Sequence, residues 1–311
     1  MTESQPSADP VSVVVIGDAL IDEIREGGTS RDHVGGAALN VAVGLSILGT
    51  AATLVAMVGD DDDGRVIRSL LAEQGIGLID SPSSAGTSRA ISDRTHGEPT
   101  YTFNAAAQHR RIQFGSRERE AIEKASLVAI SCFPFDDQRQ FDSLAACLFD
   151  SDAAVVIDAN PRRGMLHDRS LFATNLERLG PRSLMIKISA EDTHLLYGTQ
   201  NDAVTHRLLS TGVDWILATA GRDGASVTTS DGASVHAPIS PIDRPIVDTM
   251  GAGDATFASV IHSLTAEGVP SDVDAWTSLL GTAMDIAAAT CRHSGGRLRL
   301  PSHRQPGTVI A

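Results

Sequence analysis

Cysteine is scarce in this chain: three residues, Cys132, Cys147 and Cys291, among 311. An odd, widely spaced set supplies no disulfide framework and no metal-binding spacing. Aromatic residues make up only 4% of the chain, whereas glycine occurs 28 times. That balance suits tight turns and close backbone approaches better than a β-sandwich. No apolar run approaches the roughly 18 residues of a membrane span. The opening MTESQPSADP lacks a basic-then-apolar targeting pattern. A cytoplasmic protein is expected, with residues 1–10 as a disordered tail. Lys and Arg number 25 against 39 Asp and Glu, a formal charge of -14. Such a surface offers no broad footprint for nucleic acid or a membrane, although a local basic pocket can still hold a small anion.

Several familiar motifs are missing too. No Gly-x-x-x-x-Gly-Lys-Ser/Thr loop occurs, so a P-loop is excluded. The first apolar run ends Ile16-Gly17-Asp18-Ala19-Leu20, not Gly-x-Gly-x-x-Gly, which disfavours a nicotinamide oxidoreductase. Neither Gly-x-Ser-x-Gly nor His-Glu-x-x-His is present.

What is present is a βα rhythm. VSVVVIG (11–17), ATLVAMVG (52–59), LVAISCF (127–133), AAVVIDAN (153–160), SLMIKIS (183–189) and DWILATAG (214–221) read as buried strands. ALNVAVGLSILG (38–49) reads as a helix with Leu39, Ala42, Val43 and Ile47 inward. DDDGRVIRSLLAEQG (61–75) reads as another, with Val66, Ile67, Leu70 and Leu71 inward. FDSLAACLF (141–149), DAVTHRLLSTG (202–212) and a region near 275–292 predict further helices. GASVTTS and ASVHAPI (224–230, 233–239) predict a hairpin. Residues 23–35 and 86–104 predict a small separate sheet, with HGE (96–98) as a turn; an ordinary edge hairpin is the alternative. A 42% hydrophobic fraction supports one large α/β domain over 11–311. Polar residues follow the carboxyl ends of strands, the edge where ligands gather in open α/β sheets.

The most informative stretch is Asp248-Thr-Met-Gly-Ala-Gly-Asp254. Beyond it Phe257, Ala258, Ile261 and Leu264 mark an inward helical face, so Gly251, Ala252 and Gly253 stand at a helix entrance. A helix start exposes unpaired N–H groups, and small residues let an anion approach them. Such a cradle can stabilise charge that grows during phosphoryl transfer. Asp254 can take a proton from an attacking hydroxyl held within reach. The same spacing also fits a tight turn with Asp254 matched to the helix dipole.

Two signatures together resemble the ribokinase-like (PfkB) family of carbohydrate kinases: Gly35-Gly36-Ala37-Ala38-Leu39-Asn40 leading into a helix, and Asp248 to Asp254. The resemblance runs from about residue 11 to 300. It implies a three-layer αβα sandwich with a central, mostly parallel sheet and a small β lid. It implies transfer of the γ-phosphoryl group of ATP to a sugar or nucleoside hydroxyl, with Mg2+. Carried over residue by residue, Asp254 is the base and Gly251, Ala252 and Gly253 form the anion hole. Asp22, Gly36 and Asn40 grip the sugar. Asp158-Ala-Asn160-Pro-Arg162 resembles an element of fructokinase-like members, with Arg162 reaching phosphate or sugar. Lys187-Ile-Ser189-Ala-Glu191-Asp192 resembles the element that organises magnesium, with Ser189 and Asp192 departing from its usual Asn and Glu and Glu191 as a competing metal ligand. Thr219, Gly221, Gly224, Gly253 and Asp285 fall on the nucleotide side. The resemblance also implies a K+-type cation near Asp248 and the 288–296 loop. Fructose or a related keto-sugar is the first acceptor implied; ribose, 2-keto-3-deoxygluconate, a nucleoside, or a catalytically weak sugar-binding member are the alternatives. Arg89, Arg94 and His96 are candidates for gripping a phosphorylated sugar, and Tyr101 and Phe103 for packing a sugar face. An exposed lid edge would suit a homodimer.

Overall fold

The computed structural model describes residues 12–26, 28–93, 100–241 and 244–301. Residues 1–10, the 96–98 turn, Arg94 and His96 lie outside them. The main sheet has nine strands. In spatial order they are β5 (Gly77–Ser83), β4 (Ala52–Gly59), β1 (Val13–Gly17), β8 (Leu127–Ser131), β9 (Ala154–Asp158), β10 (Met185–Ser189), β11 (Trp215–Thr219), β12 (Ala225–Thr229) and β13 (Ser234–Ala237). All pairings are parallel except β11–β12 and β12–β13.

Successive side chains of a strand face opposite ways. Val13 and Val15 therefore enter one apolar core, and Val14 and Ile16 the other. The first core holds α1 (Ala37–Leu48), α2 (Asp62–Glu73), α9 (Ala252–Glu267) and α10 (Val273–Thr290), through residues such as Leu39, Ile67, Phe257 and Leu280. The second holds α4 (Ser116–Lys124), α5 (Gln138–Phe149), α6 (Arg169–Arg178), α7 (Ala190–Tyr197) and α8 (Asn201–Leu209), through Ile122, Phe141, Phe172, Leu196 and Leu208. Burying one such side chain contributes about 2 kcal/mol. The result is the three-layer αβα sandwich expected.

A second sheet runs β3 (Thr29–Gly35), β2 (Leu20–Glu26), β6 (Ser88–Asp93), β7 (Thr100–Phe103). It leads into the short α3 (Ala105–Gln108). Partners in register share a face, so Asp22, His33, Ala90 and Phe103 lie on one side, and Ile21 and Arg89 on the other.

The structure departs from the sequence reading in several details; helices α4 and α6, for example, are unforeseen. Val66 is 53% exposed rather than inward, because Gly64, Ile67 and Leu71 set the buried stripe of α2. Strand β5, sequence GLIDSPS, is unforeseen; its Pro82 is tolerated because β5 is an edge strand.

Candidate active site

The site lies where the carboxyl ends of the central strands meet the starts of α1 and α9. Beyond Gly17, the Asp18 carboxylate accepts the N–H of Ala38 at 3.1 Å and anchors α1. Asp22 follows on β2. A Cβ on Gly35 would fall 2.0 Å from Asp22 Oδ2, so glycine makes room for this carboxylate. Burial, then the neighbouring Asp18, push Asp22 up to about 7; Arg162 opposes them, and Asp254 and Asp248 add to the rise. Four expected site residues thus converge electrostatically, together with Asp18, which was not foreseen. Gly36 begins α1, and its missing side chain is matched by the β1 exit: a Cβ would meet Asp18 O at 2.7 Å.

In the first turn of α1, Asn40 donates from Nδ2 to Asp254 Oδ2 at 2.8 Å. Both residues are buried, and Asn40 Oδ1 has no hydrogen-bond partner. Burial raises Asp254 to about 6, while Arg162 and the Asn40 bond pull the other way. Helix α9 starts as expected: Gly251 takes the left-handed conformation, φ 76°, and a Cβ there would strike Gly296 O at 2.0 Å. Ala252 N–H turns back to Thr249 O at 3.3 Å. The N–H groups of Gly253 and Asp254 donate to no acceptor among the described residues, as the first N–H groups of a helix do.

Arg162 keeps solvent access, yet it stands close enough to lower both Asp22 and Asp254. The loop carrying it follows Asn160, whose φ of 38° is left-handed; Cys132, beyond the adjacent strand, has φ 53°. Non-glycine residues in this region cost on the order of 1 kcal/mol or more, and they concentrate at functional sites. Cys132 joins Ala37, Ala107 and Met165 in a small apolar cluster against which Phe103 packs. Tyr101, by contrast, is 52% exposed.

On the other side of the cleft, Ser189 and Thr219 are register partners across β10 and β11. Ser189 and Asp192 form a reciprocal cap on α7: Asp192 N donates to Ser189 Oγ at 3.1 Å, and Ser189 N donates to Asp192 Oδ2 at 2.8 Å. Asp192 is buried, which raises its pKa, whereas Glu191 is exposed. Asp248 accepts from Met250 N at 3.0 Å and from Gly295 N at 3.3 Å, tying its loop to the one expected beside it. Gly221 and Gly224 bracket one helical turn beyond β11. Beside that turn lies a cavity of about 530 Å³, lined in part by Thr193, His194, Ala220 and His236. Asp285 is half-buried on α10, in the layer that holds α9.

Arg89 does not serve the cleft. Its guanidinium bonds Asp63, Asp32 and Glu23, and its strand position faces away from Asp22. Lys187 was not foreseen as a site residue. It is buried against Asp158 at 2.8 Å, beneath α9. An internal charge at a strand end was the available signal.

Fold and cleft define a ribokinase-like α/β protein with a carboxylate at the start of a glycine-rich helix. Residues 8–302 match the pfkB family carbohydrate kinases, and the chain belongs to that family. It is 28% identical over 300 residues to a fructokinase of Klebsiella pneumoniae, covering 92% of this chain and 95% of that one. It is 25% identical over 263 residues to an aminoimidazole riboside kinase of Salmonella typhimurium, covering 81% of each. Among solved structures, a Vibrio cholerae fructokinase variant with fructose, ADP and potassium ion bound superimposes with a TM-score of 0.79 at 21% identity, over 93% of this chain and 95% of that one. No helix among the described residues is long and apolar enough to cross a membrane.

Proposed function

We propose that the protein is an ATP-dependent kinase for a hydroxyl of a small sugar, with fructose or a related keto-sugar as the first acceptor. The observation that carries this reading is the buried Asp254, held by Asn40 and set beside the unengaged N–H groups of Gly253 and Asp254. A carboxylate with a pKa near 6 is ionised at neutral pH and still basic enough to accept a proton.

In this mechanism Asp22 and Asn40 orient the acceptor, and Asp254 takes the proton of the attacking hydroxyl. The start of α9 and Arg162 stabilise the transferring phosphoryl group, so catalysis is positioning plus electrostatics. Ser189, Thr219, Gly221, Gly224 and Asp285 lie along the nucleotide side. Ile246 and Val247, 59% and 57% exposed before Asp248, offer an apolar contact for the base. The small sheet acts as the lid that excludes water, and its exposed β3 edge would pair two copies.

No three His, Cys, Asp or Glu side chains converge on a metal position among the described residues. Mg2+ is usually held by one or two carboxylates, water and phosphates. Glu191 and Asp192 would be the carboxylates to hold it, and bound there it would neutralise phosphate charge. K+ belongs to the same reading near Asp248.

A second acceptor class is favoured by the cluster of Phe103, Met165, Cys132, Ala37 and Ala107. Of these only the half-buried Phe103 could meet a ligand, and its ring would suit the aglycone of a riboside as well as the ring face of a sugar. The test is ADP release with ATP and magnesium across sugars and nucleosides, with Asp254→Asn run beside the parent. Turnover of one acceptor, lost in the variant, supports the reading. Acceptor binding without turnover by the parent leaves a sugar-binding protein instead.

A further inference from the structure

Lys187 takes no part in the mechanism above, yet it places an ammonium inside the protein. Its side chain is 4% exposed, and Nζ lies 2.8 Å from Oδ1 of Asp158, which is fully buried. Strand register dictates this pair: Lys187 opposes Asp158 across β10 and β9, and Asp158 opposes Ser131 across β9 and β8. Ile157, Ile186 and Ile188 face the second core, which turns Asp158 and Lys187 toward the layer of α9. There Nζ lies 3.4 Å from where a Cβ would stand on Gly253. Burial disfavours the ammonium, but Asp158, Asp192 and Asp254 outweigh it and hold its pKa above the ordinary lysine value.

A buried ion pair adds little net stability, because desolvation offsets the attraction. This one sits under the place where a multiply charged phosphoryl group must bind. Three carboxylates, Asp158, Asp192 and Asp254, act on that ammonium.

We propose that Lys187 is a charge-balancing positioning residue: its ammonium offsets Asp158 and Asp192 beneath the first turn of α9, so that the Gly253 and Asp254 amides can hold the γ-phosphoryl group of ATP. The inference rests on the kinase reading above. It also makes a prediction of sign that a structural role does not.

The experiment measures ATP and ADP dissociation constants with magnesium at fixed ionic strength, for the parent, Lys187→Met, Asp158→Asn and the double variant. Lys187→Met should lose about tenfold in its preference for ATP over ADP, and Asp158→Asn should gain in that preference. Each single change unbalances a buried pair and lowers thermal stability, so loss of stability alone cannot give opposite signs. The double variant removes both charges and should return toward the parental preference. Should Lys187→Met fail to fold, the comparison of Asp158→Asn with the double variant still isolates the ammonium, and about tenfold is expected between them. Equal preferences there, or single variants shifting together, overturn the inference. A parent that binds neither nucleotide overturns the kinase reading with it. A parent that binds both, with variants that do not separate, leaves the kinase reading standing and removes only the role of Lys187.

Discussion

The side-chain amide of Asn40 lies 2.8 Å from the carboxylate of Asp254 across 214 residues of sequence. This bond joins the starts of α1 and α9, and therefore the two signature segments of the chain. It also helps to keep a buried carboxylate ionised. Replacing Asn40 with leucine removes a donor that favours the charged form. The acid limb of the pH–rate profile should move to higher pH, and kcat/KM at pH 7 should fall about tenfold. An unmoved limb would show that the bond does not tune the base.

Asp254→Asn should lower kcat by about 10² to 10⁴ while leaving ATP binding within a few-fold. In the parent, the base must be ionised, so activity should be lost as pH falls through about 6. Steady-state kinetics between pH 5 and 8 check both statements. A variant with near-parental kcat would remove Asp254 from the chemistry.

Asp22 links pH to stability. Its folded value is about 7 against an ordinary 3.8, so between these values the folded state binds the proton more tightly than the unfolded chain. Its contribution therefore favours folding below about pH 4 and is lost as pH rises through 7. Asp22→Asn should stabilise the fold at pH 8 by on the order of 4 kcal/mol, read as a higher unfolding temperature, and by less at pH 5. Acceptor turnover should fall at the same time. Thermal melts at the two pH values decide it; equal shifts would show that the carboxylate is not strained by burial.

Gly251→Ala should destabilise the protein by about 1–3 kcal/mol and weaken ATP binding. The new methyl meets the Gly296 carbonyl, and alanine resists the left-handed backbone at φ 76°. Melting temperature and nucleotide titration are the measurements. A neutral outcome would mean that the loop pair yields easily.

Arg89 ties the small sheet to α2 through Asp63 and to its own strands through Glu23 and Asp32. Arg89→Met leaves three carboxylates facing one another and should loosen the lid. The acceptor KM should rise several-fold, with the ATP KM nearly unchanged. Because the side chain is 27% exposed, added salt should weaken the parental contact and narrow the difference. An equal rise in both KM values would assign Arg89 to general stability.

The Asp254 turn and most strands were legible because each is local. Strands announce themselves as short β-branched runs, and the start of α9 by small residues before an apolar stripe. Strand β5 escaped because its proline and polar residues suit only an edge position, which is defined by its neighbours. Arg89 was misread for a related reason. An arginine in a lid segment looks available until strand register turns it away from the cleft and three carboxylates close on it. The spacing of Ser189 and Asp192, which the family resemblance assigns to magnesium, also specifies a reciprocal helix cap, and only the structure shows that cap formed.

By itself the sequence determined the αβ alternation, the helix start that carries Asp254 and the family signatures, since periodicity and turn chemistry act over a few residues. Tertiary structure alone decided which charges face one another. The pairing of Lys187 with Asp158, the crowding of Asp22 by Asp18, and the bond from Asn40 to Asp254 depend on strand order and helix placement. Burial then makes those encounters strong, because a charge removed from water responds chiefly to the few groups that the fold sets beside it.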